Sequence, residues 1–135
     1  MTTTLPPRGP SPADMPGARE AARRLIEPGQ LPPGRDFRPL YELGITGTRL
    51  GSHALLVALV LATRCDWTTG VIPANRQAGL TRLADETGLY PGQVVVALNA
   101  LASRGWVAKV TGGSYYTARL RLTIPAPIMA RLLRG

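Results

Sequence analysis

At Gly105 the spacing of apolar residues changes, and with it the kind of element the chain can form. Upstream, Leu80, Leu83, Ala84 and Thr87 fall at helical spacing and are followed by Gly88, a helix stop. After Leu89-Tyr90-Pro91, the residues Val94, Ala97, Leu98 and Leu101 recur at i, i+3, i+4 and i+7. That stripe predicts a helix from about Gly92 to Arg104, capped by Gly105. Downstream the period is two. Trp106-Val107-Ala108-Lys109-Val110 predicts a strand and Gly112-Gly113 a tight turn. The returning segment, Tyr116 to Ile124, puts Ala118, Leu120, Leu122 and Ile124 on one face and Thr117, Arg119, Arg121 and Thr123 on the other.

The flanking segments extend this order. Gly51-Ser52 predicts a helix start with Ser52 as its cap, and His53 to Asp66 is apolar nearly all round, as suits a central helix packed on several sides. Thr68-Thr69-Gly70 breaks it, and Val71-Ile72-Pro73 predicts a very short strand. Ala126 to Arg134 predicts two helical turns with Ile128, Met129, Leu132 and Leu133 on the apolar side. Residues 1–40 hold nine of the 13 prolines, which predicts a flexible arm interrupted by a short helix at Gly17 to Glu27. Arg19, Arg23 and Arg24 share part of that helix's surface. The expectation is an α+β, mainly α, chain: an arm over 1–40 and one domain over 41–135.

Charge and composition bound the partners. Sixteen basic residues oppose eight acidic ones, a net charge of +8, which favours nucleic acid or an anionic membrane surface. All but Lys109 of the basic residues are Arg, a skew that a GC-rich coding genome also produces, so it is weaker evidence for phosphate binding than the count suggests. The longest apolar run, Ala54 to Ala62, has nine residues against the roughly 20 needed to span a bilayer, and the proline-bearing N-terminus does not look like a signal peptide. A cytoplasmic, nucleoid-associated protein is expected. With one cysteine (Cys65) and one histidine (His53), neither an intrachain disulfide nor a Cys/His metal site can form. Catalysis is not expected either. No acid–base pair stands out, and Thr111-Gly112-Gly113-Ser114 lacks the lysine and following helix of a phosphate-cradling loop. Neither cofactor nor small-molecule substrate is expected.

The stretch Leu83-Ala84-Asp85-Glu86-Thr87-Gly88-Leu89, followed by Val94, Leu98, Leu101 and Gly105-Trp106-Val107, resembles the helix-turn-helix core of bacterial winged-helix regulators. It is similar to small helix-turn-helix proteins of actinobacteria, some of them linked to plasmids, phages or integrated elements. The resemblance covers roughly residues 50–125. It implies a three-helix core with a β-hairpin wing, a recognition helix near 91–104, a wing near 106–123, and sequence-dependent binding to double-stranded DNA, commonly as a homodimer. The implied role is a transcriptional regulator of repressor type, or a replication or partition factor of a mobile element. The other reading is a winged helix kept as a protein adaptor.

The candidate interface residues follow from that layout. The exposed positions of the third helix should be Tyr90, Gly92, Gln93, Val95, Val96 and Asn99. Gln93 and Asn99 carry amides suited to bidentate adenine contacts, and Val95 or Val96 can touch thymine methyls; plain solvent exposure satisfies the same positions. Tyr90 either donates to a phosphate or packs over the turn. No Arg or Lys occurs between Arg82 and Arg104, which departs from the usual recognition helix and favours the adaptor. Arg119 and Arg121, with Lys109, sit on the expected wing; phosphate contact and protection of a strand edge compete for the two arginines. Arg76 and Arg82 flank the second helix and either brace a DNA backbone or form a solvated face, and Arg104 joins the candidate DNA contacts. Trp106 reads as core, Tyr115 and Tyr116 as cross-strand packing, His53 as a surface or capping group, and Cys65 as inert packing.

Overall fold

In this computed structural model, residues 16–111, 113–114 and 119–134 are described. Their elements are α1 (Pro16–Ile26), α2 (Phe37–Thr46), α3 (Ser52–Ala62), a single 3₁₀ turn (Ala74–Arg76), α4 (Leu80–Thr87), α5 (Pro91–Ser103), β1 (Val107–Lys109), β2 (Leu120–Leu122) and α6 (Ala126–Arg134). The architecture is α+β and mainly helical, with one two-stranded antiparallel sheet among the described residues.

The central helix is α3. It buries Ala54, Val57, Ala58, Leu61 and Ala62, and Leu55, Leu59 and Val60 pack partly against the same core, so an all-round apolar sequence meets neighbours on several sides. Those neighbours are α2, α4 and α5. From α5 the predicted stripe of Val94, Ala97, Leu98 and Leu101 is buried, and α4 turns Leu80, Leu83 and Ala84 inward. Gly88 ends α4 in the left-handed conformation, its N–H donating to the Ala84 carbonyl at 2.9 Å. Gly105 does the same for α5 (φ +85°). There the Gly105 N–H reaches the Ala102 carbonyl and the Trp106 N–H reaches that of Leu101, the paired bonds of a Schellman motif. A Cβ on Gly105 would also stand 2.7 Å from the Ile26 carbonyl oxygen, so the end of α1 rests on this turn.

The chain leaves that turn as a hairpin in which Val107 pairs with Leu122, Ala108 with Arg121 and Lys109 with Leu120. Val107, Leu120, Leu122 and Ile124 are buried, while Arg119 and Arg121 are exposed on the opposite face. Two details depart from strict alternation. Thr123 is buried because its hydroxyl donates to the Gly105 carbonyl at 2.6 Å. Lys109 shares Leu120's face, but at the end of the sheet it is exposed and its ammonium donates to the Gly113 carbonyl at 2.9 Å. Gly112, Tyr115, Tyr116, Thr117 and Ala118 of the expected hairpin lie outside the described residues.

The segment 71–73 is not a strand. Asp66 gathers the turn before it, accepting from the N–H groups of Thr68 and Thr69 through Oδ1 and donating its own N–H to the Val71 carbonyl at 2.7 Å. Val71's carbonyl is thereby spent, and Pro73 has no N–H to offer a ladder. The outer edge of β2 is satisfied by a side chain instead. Gln77 accepts from the Leu120 N–H at 3.0 Å and donates to the Leu120 carbonyl at 2.9 Å, and also to that of Ile72 at 3.0 Å. One amide thus makes the pair of bonds that a neighbouring strand would have made at Leu120.

Three further expectations are corrected. Gly51, not Ser52, is the N-cap of α3, so the Ser52 hydroxyl lies already inside the first turn and makes no cap bond. That helix ends at Ala62 rather than Asp66: the N–H groups of Arg64 and Cys65 turn to the carbonyls three residues back, Leu61 and Ala62, and the Arg76 guanidinium takes the carbonyls of Thr63 and Arg64. The third concerns the N-terminal segment: from α1 onward it is docked. Pro28 bridges Pro125, the Gly29 N–H donates to Ile124, and the Ala126 N–H donates to Glu27. The division at 40/41 falls inside α2, which supplies Phe37, Leu40, Tyr41 and Ile45 to the core. Tyr41 lies edge-on to Trp106 and donates to its carbonyl at 3.0 Å, and Phe37 stacks on Tyr41 at 5.5 Å. Burial drives the Tyr41 hydroxyl far above its ordinary titration range. α6 closes this side with Met129 buried and Leu132 beside Gly44. Residues 1–15 lie outside the described residues.

Candidate nucleic-acid interface

α4 and α5 are joined by Gly88-Leu89-Tyr90, and the side of α5 opposite its buried stripe is left open. Gly92, Val96, Asn99 and Ser103 are exposed at i, i+4, i+7 and i+11, one continuous ridge. Val96 is 68% exposed and Tyr90, the N-cap, 77%. Nothing lies within 4 Å of where a Gly92 Cβ would stand. The ridge carries no charge.

Two expected readers are turned to other tasks. Gln93 is half-buried and its Oε1 accepts the Tyr90 N–H at 2.9 Å, half of a capping box. Held so, its oxygen already has one partner and its amide is tied to the first turn, which disfavours the two-bond adenine contact expected of it. Val95 is half-buried against the core on the flank of α5, which leaves Val96 as the valine of the open ridge.

No cation stands on the ridge; the expected ones lie on α4, at the end of α5 and on the hairpin. Arg82 is exposed on α4, and Arg104, the C-cap residue of α5, is exposed at its far end. Arg119 and Arg121 occupy the outward face of the hairpin, Arg121 bordering a crevice of about 520 Å³ beside Gly29, Gln30 and Thr69. Arg76 is engaged within the fold. Its Nη2 donates to Thr63 at 3.0 Å and its Nε to Arg64 at 3.3 Å, while Arg64 returns a bond to the Arg76 carbonyl and forms an ion pair with Glu86 of α4. This clamp joins the end of α3 to α4 and fixes where α4 presents the following turn.

Sequence reasoning missed Gln77 and the Arg64–Glu86 pair, because a lone loop amide and a contact between residues 22 positions apart carry no periodic signal. It also missed a mostly apolar cleft of about 610 Å³ between the start of α3 and the open side of α5, lined by Leu50, His53, Ala54, Tyr90, Val96 and Ala100 among others. His53 borders this cleft at the first turn of α3. Elsewhere the chemistry is quiet. Burial pushes the Cys65 thiol above its ordinary value, with the Arg38 charge opposing, and its Sγ sits 3.2 Å from the Ala62 carbonyl. Asp66 is held below the usual carboxylate range by the backbone N–H groups of Thr69 and Thr68 and by the Thr69 hydroxyl. Among the described residues no group of three His, Cys, Asp or Glu could hold a metal ion, and no helix is long and apolar enough to cross a membrane. Compared with known proteins, the chain matches no family model, no curated protein and no solved structure.

Proposed function

We propose that this chain is a sequence-specific double-stranded DNA-binding protein, a regulator of transcription or a replication or partition factor, acting through a winged helix-turn-helix. In this reading α3, α4 and α5 are the three-helix core, α5 is the recognition helix and the β1–β2 hairpin is the wing. The observation that carries it is the open ridge of α5, which follows a short glycine-containing turn after α4 and precedes a hairpin bearing Arg119 and Arg121 outward. The net charge of +8 supplies the long-range attraction to a polyanion. A homodimer on an inverted repeat is the expected bound form.

The test is fluorescence anisotropy with pooled duplex fragments from the source genome, titrated at several salt concentrations. Fragment-selective binding is expected, with log K falling by about 0.9 per phosphate contact against log salt. Reversing Arg119 and Arg121 to Glu should weaken binding sharply and flatten that slope. Absence of binding at low salt would refute the proposal.

A protein-adaptor role is the second reading, favoured by the exposure of Tyr90 and Val96 beside the apolar cleft. An adaptor contact centred on Tyr90 and Val96 would survive the charge reversal that DNA binding would not.

A further inference from the structure

Resting on the duplex-DNA reading above, we infer that α5 selects adjacent A·T base pairs, Asn99 reading an adenine edge and Val96 the methyl group of a neighbouring thymine. Apart from Ser103, whose hydroxyl donates to the Ala100 carbonyl of its own helix, the ridge carries partners for these two bases alone. Guanine is read by the forked donors of Arg or by Lys, and neither occurs from Leu83 to Ser103. Cytosine is read by a carboxylate accepting from its amino group, and no Asp or Glu occurs from Thr87 to Ser103. Gln93, the one other amide on this side, has its oxygen committed to the Tyr90 N–H. Asn99 is exposed and makes no side-chain hydrogen bond among the described residues, so both its oxygen and its amino group are available to adenine.

The spacing fits one step of the duplex. Val96 and Asn99 are three residues apart, about 4.5 Å along the helix axis, against roughly 3.4 Å between stacked base pairs. With the helix lying along the groove, that spacing lets the two side chains meet neighbouring pairs. Gly92 completes the ridge one turn earlier. Its conformation does not require glycine, a Cβ there would touch nothing, and glycine is a poorer helix former than alanine. The bare backbone is what lets the first turn of α5 come close to a sugar-phosphate strand.

The experiment begins with selection of bound duplexes from a randomised pool, followed by anisotropy on the selected site. Thymines are replaced in turn by deoxyuridine, which lacks the methyl, and adenines by 7-deazaadenine, which lacks the N7 acceptor. At one thymine, deoxyuridine should weaken the natural protein about four-fold, as expected for one buried methyl group. The same change should leave Val96→Ala indifferent. At the adjacent pair, 7-deazaadenine should cost on the order of ten-fold and leave Asn99→Ala indifferent. Both side chains are exposed, and equal melting temperatures will show that the variants fold. Gly92→Ala should weaken binding without lowering the melting temperature or changing base preference. Selected sites with G·C pairs under α5, or tight binding insensitive to both analogues, would overturn the inference and leave the DNA-binding reading standing. No duplex binding at low salt would overturn both.

Discussion

Gln77→Leu tests whether one side-chain amide takes the place of a strand. Leucine nearly matches glutamine in volume, so the change removes hydrogen bonds without opening a cavity. Three are lost: the amide donations to Ile72 and Leu120, and its acceptance of the Leu120 N–H. At about 1 kcal/mol net for each they sum to roughly 3 kcal/mol. Leu120 is only 2% exposed, so water does not readily replace the lost partners, while the half-buried leucine returns somewhat less than 1 kcal/mol of apolar contact. The net expectation is about 2–3 kcal/mol, or a melting temperature lowered by roughly 10 °C for a domain of this size. Thermal and urea unfolding followed by circular dichroism measure it. Hydrogen exchange localises it: the Leu120 N–H should exchange only by global opening in the natural protein and by local opening in the variant. Gln77→Glu keeps an acceptor for that N–H but sets a carboxylate against two carbonyl oxygens, so it should be destabilised more at pH 7 than at pH 4. If Gln77→Leu melts within about 2 °C of the natural protein, the amide does not hold the sheet edge and the reasoning fails.

Gly105→Ala combines a left-handed backbone (φ +85°) with a Cβ placed 2.7 Å from the Ile26 carbonyl oxygen; a loss of more than about 2 kcal/mol is expected, with faster limited proteolysis between α1 and α2 as the local sign. Asp66 titrates below its ordinary value in the folded chain, so its contribution is complete above the unfolded carboxylate range near pH 4 and disappears as pH falls through the lower folded value. The melting-temperature gap between the natural protein and Asp66→Asn should therefore be open at neutral pH and close in acid; a gap independent of pH would refute the assignment. Cys65 should label slowly with a disulfide reagent at pH 8 in the native protein and rapidly in urea, since burial both shields the thiol and raises its titration. Equal rates in the two conditions would contradict that burial.

What the sequence disclosed is what has a period or a sharp stop. The stripe of α5, the apolar surface of α3, the glycines that end α4 and α5, and the two-residue alternation of the hairpin were all readable, because each repeats a simple geometric rule several times. α2 was not readable. Its proline, Pro39, sits in the first helical turn, where a missing N–H costs nothing, yet among so many prolines it looks like one more break. Its role depends on Tyr41 meeting Trp106, 65 positions away, a contact no local pattern encodes. The same limit applies at the candidate interface. Exposure of Gly92, Val96 and Asn99 followed from the helical period, but the diversion of Gln93 and Val95 depended on a capping bond and a neighbouring surface. Arg76 looked like any loop arginine until its three-dimensional neighbours proved to be carbonyls at the end of a helix.

The separation of charge from the α5 ridge has a consequence for how affinity and selectivity divide. If α5 is the DNA reader proposed above, a surface with no cation gains little from phosphates, and electrostatic binding by a protein of net charge +8 has to come from elsewhere on the chain. The exposed arginines include Arg82 on α4, Arg104 at the end of α5, Arg119 and Arg121 on the hairpin, Arg19, Arg23 and Arg24 on α1, Arg35 and Arg49 in the connecting segments, and Arg131 and Arg134 on α6. Arg76 is exposed as well, but two of its guanidinium N–H groups are engaged by the carbonyls of Thr63 and Arg64. Each neutralised phosphate contributes to the salt slope whatever the base sequence, whereas an amide or a methyl contact contributes to base preference whatever the salt. The two sets of residues should then be separable in one assay. Removing a peripheral arginine should lower the slope by about 0.9 and leave the preferred sequence unchanged, while Asn99→Ala should blur the preference and leave the slope unchanged. If a single substitution moved both quantities together, affinity and selectivity would share a surface, and the uncharged ridge could not be the reader.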